Sequence, residues 1–121
     1  MELSEIAQEI VKIIFNEGNK SILVLTHSFE FKRKTWDYLI REIEHPTFHF
    51  KKVERAPSTL HDDKGNKVIV LKFTPHSMNQ LQGFNPDYIF LDYMIEEWMN
   101  KWEFIRMLQI RCLKKKEIDN G

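Results

Sequence analysis

The stretch Pro86-Asp87-Tyr88-Ile89-Phe90-Leu91-Asp92-Tyr93 decides the fold of this chain. Four apolar or aromatic residues in a row run directly into an aspartate. That is the pattern of a buried parallel strand carrying a carboxylate to the carboxyl edge of its sheet, where open α/β proteins bind their ligands. The rest of the chain agrees with an α/β reading. Ser21-Ile22-Leu23-Val24-Leu25-Thr26 is a second short, nearly continuous apolar strand. It follows a helical stripe of Leu3, Ile6, Ala7, Ile10, Val11 and Ile14, spaced by three and four residues.

Ser4 is placed to cap that first helix and Gly18 to stop it. Ser28 is placed to cap a second helix, which turns Trp36, Leu39, Ile40 and Ile43 inward and ends before His45-Pro46. Phe48, Phe50 and Val53 then fall at rough period two, the mark of a half-buried strand. Lys67 to Phe73 reads as its partner in a long hairpin, with an irregular connection over Arg55 to Gly65 and an exposed polar turn at His61 to Asn66. Met78 to Phe84 reads as a short turn or helix. A long helix from Met94 to about Lys116 carries Ile95, Trp98, Trp102, Ile105, Leu108 and Cys112 on one side. The element order α-β-α-β-β-β-α predicts a single α/β domain over 1–121, three-layered, with a partly parallel sheet of about four strands flanked by helices.

Composition sets the bounds on function. The chain has 121 residues, 42% hydrophobic and 30% charged, enough for one globular core without disulfides or metals. Eighteen basic side chains balance 18 acidic ones, so no global positive field argues for nucleic acid. The single cysteine, Cys112, suits a reducing compartment. No apolar run is long enough to span a bilayer and no basic leader opens the chain, so a cytoplasmic protein without a membrane partner is expected.

Several segments resemble the ATPase core of phage terminases and helicase-like P-loop proteins. Gly18 to Ser28, between two helices, is similar to the strand and turn that follow their phosphate-binding loop. Asp63 to Phe73 is similar to their glycine-led hydrophobic strand, and Leu81-Gln82-Gly83-Phe84-Asn85-Pro86-Asp87 through Asp92 to the segment that ends in aspartate-glutamate. The resemblance implies an incomplete P-loop-like core. The G-x-x-x-x-G-K-[ST] loop is not in the sequence, and Gly18-Asn19-Lys20-Ser21 follows a helix and opens a strand, the reverse of what such a loop requires. Tyr93 stands where the water-polarising glutamate would follow Asp92, and a phenol is a poor base at neutral pH. No enzyme activity and no cofactor are therefore expected.

Asp92 is the one weak candidate for a metal ligand. The plainer reading, which we favour, is that it caps the helix after it. Of the five histidines, His45 and His49 have helical metal-ligand spacing but enclose Pro46, and one cysteine cannot build a structural zinc site. If the topology of the resembled ATPases is kept, Tyr88 to Asp92 forms a sheet edge with little charge, an open template for another chain. Tyr88, Phe90, Trp98 and Trp102 are the candidate interface residues. The leading expectation is a non-catalytic terminase- or helicase-like domain that forms a homodimer or modulates a larger ATPase, and a phage-encoded protein would fit it. The alternative is a nucleic-acid-binding accessory protein using Thr26, His27, Ser28, Lys32, Arg33 and Lys51 as a single-strand phosphate track.

Overall fold

The structure, a computed structural model, describes residues 2–43, 50–53, 58–74 and 85–98. Their elements run α1 (Leu3–Asn16), β1 (Ser21–Thr26), α2 (Phe29–Ile43), β2 (Phe50–Val53), β3 (Ser58–Asp62), β4 (Lys67–Lys72), β5 (Tyr88–Leu91) and α3 (Tyr93–Trp98). The strands form one five-stranded mixed sheet in the order β2-β3-β4-β1-β5. β4, β1 and β5 are parallel, with Leu23 opposite Ile69 on one side and Ile89 on the other. β2-β3-β4 is an antiparallel meander.

Strand β3 corrects the expected hairpin. Ser58 to Asp62 lies between the two strands that were to pair, bonded to β2 on one side and β4 on the other. Its composition gives little strand signal, since Leu60 is its only aliphatic residue. Pairing on both sides satisfies its backbone, and Ser58, Thr59 and Leu60 are all buried.

Residue alternation divides the strands between two faces. Ile22 and Val24 of β1, Val68 and Val70 of β4 and Leu60 of β3 form one cluster with Ile6, Ile10 and Ile14 of α1 and Trp36, Leu39 and Ile43 of α2. The two helices pack against each other over that face. Each of these aliphatic side chains contributes about 1.5–3 kcal/mol on burial. Leu23, Leu25, Ile69 and Leu71 point the other way and are buried as well. A central parallel strand buried on both faces explains the unbroken apolar run of β1. The short α3 lies against β1. Met78 to Phe84 and the long-helix positions Trp102 to Lys116 lie outside the described residues, as do His45, His49, His76 and Cys112. Among the described residues no helix is long and apolar enough to cross a membrane.

The caps differ in part from expectation. Glu2, not Ser4, occupies the N-cap of α1, without a side-chain bond. The helix ends at Asn16, where the Glu17 N–H donates to the Ile13 carbonyl, and Asn19 rather than Gly18 takes the positive φ of 57°. Gly18 serves close approach instead, because a Cβ there would press on the Lys64 carbonyl at 3.1 Å. Ser28 caps α2 as its position suggests, its Oγ accepting from the Phe31 N–H at 3.1 Å.

The amino ends of the parallel strands are tied through Asn66, which is 1% exposed. Its Oδ1 accepts from the Lys20 N–H, and its Nδ2 donates to the Glu17 carbonyl and to Asp62 Oδ2. Asp62 Oδ1 accepts from the N–H groups of Lys64 and Asn66, closing the β3–β4 turn. The segment read as an exposed polar turn is thus partly interior. Asp87 pairs with Ser21 twice: its N–H donates to the Ser21 carbonyl, and its carboxylate accepts from the Ser21 N–H. The Tyr88 hydroxyl donates to the Glu17 carboxylate at 2.9 Å, which holds the phenol pKa above its ordinary value.

Gly65 completes the turn at φ 85°, with its Cα hydrogen facing the Asn19 side chain. Gly65→Ala adds a methyl that meets Asn19 Oδ1 and forces a left-handed L-residue, so a loss of about 1–2 kcal/mol is expected in urea denaturation. A neutral or stabilising result would contradict this account of the turn.

Candidate functional site

The carboxyl ends of β4, β1 and β5 lie side by side, and Thr26, His27, Ser28 and Asp92 sit at the ends of β1 and β5. Asp92, directly after β5, is fully buried. Its Oδ1 accepts from the Ile95 N–H at 2.9 Å, the N-cap bond of α3. Its Oδ2 accepts from the His27 N–H and lies 2.7 Å from His27 Nδ1. The imidazole tautomer with its proton on Nδ1 makes that contact a hydrogen bond to the carboxylate. The parallel register that sets Leu25 opposite Leu91 brings these two turns together, and the Asp92 N–H donates to the Leu25 carbonyl.

This arrangement engages both oxygens of Asp92 inside the protein. The bond from the Ile95 N–H is the cap of α3 that the position of Asp92 suggests. Among the described residues no group of three histidine, cysteine, aspartate or glutamate side chains is placed to hold a metal. His27 packs at 5.1 Å between ring centroids from Phe31 and 6.0 Å from Tyr93, and Phe31 and Tyr93 meet at 6.0 Å. Tyr93 therefore closes an aromatic cover over the His27–Asp92 pair.

The six residues of the expected phosphate track do not form one surface. Thr26 is buried, and its hydroxyl donates to the Leu71 carbonyl at 3.0 Å. His27 is held by Asp92, and Ser28 caps α2. Lys51 lies on β2, at the opposite edge of the sheet from β5. Lys32 and Arg33 do come together, on the first turns of α2. They line a pocket of about 300 Å³ with Phe29, Trp36, Asp37 and Ser58. Lys34, the third member of that basic run, instead pairs with Glu30 at 3.1 Å on the exposed helix surface, which holds the Glu30 carboxyl below its usual range.

The expected interface residues are divided as well. Tyr88 and Phe90 are half-buried against the cluster under α1 and α2, while Ile89 faces the other side of the sheet. Trp98 ends α3, and Trp102 lies outside the described residues. In the sheet order β5 has β1 as its neighbour and no strand beyond it among the described residues.

Sequence reading did not bring out Phe29, Asp37 or Ser58 as pocket residues. The steps from Phe29 to Arg33 and from Arg33 to Trp36 or Asp37 are helical neighbours and were available as a signal. Ser58 was not, because it reaches α2 only through the unrecognised strand β3. No protein-family model, curated protein or solved structure matches the chain.

Proposed function

We propose that this chain is a non-catalytic α/β domain that works by association, pairing with a second copy of itself through the edge of β5. The observation that carries the proposal is the place of β5 at the end of the described sheet, with Tyr88, Ile89 and Phe90 each part-exposed and none of them charged. Edge strands usually avoid pairing through lysine, proline or a bulge, and Tyr88-Ile89-Phe90-Leu91 has neither lysine nor proline. Two copies meeting about a two-fold axis would continue the sheet across the junction, since one strand can pair antiparallel with itself.

The state of Asp92 supports the non-catalytic half of the proposal. Both of its oxygens bond to backbone N–H groups or to His27, as in a structural tie between β1 and α3. The resemblance to a terminase- or helicase-like core lacking its phosphate loop fits this reading, with the parallel strands kept as scaffold and the chemistry gone.

Ile89→Lys tests the proposal, because it puts a charge on the strand edge while Tyr88 and Phe90 keep their contacts with the core. Light scattering is expected to give twice the single-chain mass for the wild type and the single-chain mass for Ile89→Lys, with unchanged circular dichroism. A wild-type protein that stays single at high concentration would sink the idea. So would an Ile89→Lys variant that still pairs.

A further inference from the structure

The pocket on the first turns of α2 is separate from β5, with β4 and β1 between β3 and that edge. Its lining is unusual in what it leaves unsatisfied. Trp36 is 6% exposed, and its indole N–H is buried without a hydrogen-bond acceptor. A buried donor of that kind costs free energy that an incoming acceptor restores. Lys32 is part-buried in the same wall, and the loss of water lowers its pKa from the ordinary lysine value. A desolvated ammonium gains more from an anion than a solvated one does.

Three further features narrow the ligand. Arg33 adds a planar fork of donors suited to phosphate oxygens. The Phe29 ring is 68% exposed, and Lys72 Nζ lies 4.4 Å from its centroid, adding positive charge beside the pocket. An exposed ring beside clustered cations offers a stacking face for a planar group tethered to the anion. Asp37 is the one acid in the described lining. It can accept a hydrogen bond from an amino or imino group and disfavours a bare polyanion. The volume of about 300 Å³ is at the low end of small-molecule sites.

We infer that the pocket formed by Phe29, Lys32, Arg33, Trp36, Asp37 and Ser58 binds a nucleotide unit, its phosphate on Lys32 and Arg33 and its base against Phe29. A free mononucleotide and one residue of a single strand present the same chemistry. The strand source would make affinity fall steeply with salt, whereas one mononucleotide phosphate gives a shallow dependence.

Isothermal titration at low salt with AMP, with a dT oligomer and with inorganic phosphate tests the site on the full chain. AMP or the oligomer is expected to bind, and Lys32→Met with Arg33→Gln is expected to weaken that binding roughly 10- to 100-fold by removing charge-assisted bonds. Trp36→Phe, which deletes the N–H and keeps an aromatic ring, is expected to weaken it by about tenfold or less. Comparable binding of AMP and the oligomer assigns the site to free nucleotides. Binding of the oligomer alone, with a steep salt slope, assigns it to a strand. The inference is overturned if neither ligand binds, if the double variant binds as tightly as wild type with unchanged circular dichroism, or if inorganic phosphate binds as tightly as AMP. Ile89→Lys is expected to leave the titration unchanged, so this result and the association of β5 are read independently.

Discussion

Asp92→Ala is expected to lower stability by about 3–5 kcal/mol, the largest effect of any single change considered. The substitution removes the acceptor of three N–H donors, those of Ile95 and of the His27 backbone and ring. Loss of an N-cap alone costs about 1 kcal/mol, and each buried donor left without a partner costs about 1–3 kcal/mol. Asp92→Asn provides the control. One amide oxygen can serve either the α3 cap or His27 but not both in the geometry seen, so about half the loss is expected. Urea denaturation measures both, and the asparagine variant stays informative if the alanine variant does not fold. A loss below about 1 kcal/mol for Asp92→Ala would show that the carboxylate is not the tie between β1 and α3 that its bonds describe.

Asn66→Ala is expected to cost about 2–4 kcal/mol for a related reason at the other end of the sheet. The amide joins Lys20 before β1, Glu17 after α1 and Asp62 at the end of β3. Alanine leaves the Lys20 N–H and the Glu17 carbonyl without these partners in a part-buried region. Asn66→Asp sharpens the test. It keeps an oxygen for Lys20 but turns a second oxygen toward the Glu17 carbonyl and the Asp62 carboxylate, where the amide had donated. An aspartate variant as stable as wild type would mean that the amide donors carry no weight. Thermal or urea unfolding of the three proteins decides it.

These ties explain what was legible in the residues and what was not. The strands Ser21 to Thr26 and Tyr88 to Leu91 could be read directly, because strands buried on a parallel sheet must be apolar nearly throughout. The cap role of Asp92 was also accessible, since an aspartate between a strand and a helical pattern is a local signal. Its bond with His27 was not. Sixty-five residues separate the two, and only the register of β1 against β5 brings them together. Strand β3 was hidden because Ser58-Thr59-Leu60-His61-Asp62 owes its extended form to partners on both sides rather than to its own propensity. Asn66 looked like a solvated turn residue for the same reason. Its burial comes from the convergence of α1, β1 and the β3–β4 turn.

Legible in outline was the place of β5 at the end of the described sheet. Tyr88 and Phe90 stood out as large aromatics, but strand alternation sends both into the cluster under α1 and α2. In the pairing proposed, a second chain would meet the backbone edge of β5, with Ile89 on the other face of the sheet. Pairing through backbone hydrogen bonds leaves a signature that side-chain burial does not, namely slowed amide exchange along the strand.

Amide hydrogen exchange followed by mass spectrometry across a wide range of protein concentration tests this most directly. The expected result is that exchange of the segment Tyr88 to Leu91 slows as concentration rises through association, while exchange of β1, already paired on both sides, does not change. Exchange of Tyr88 to Leu91 that is the same at every concentration would contradict association through β5.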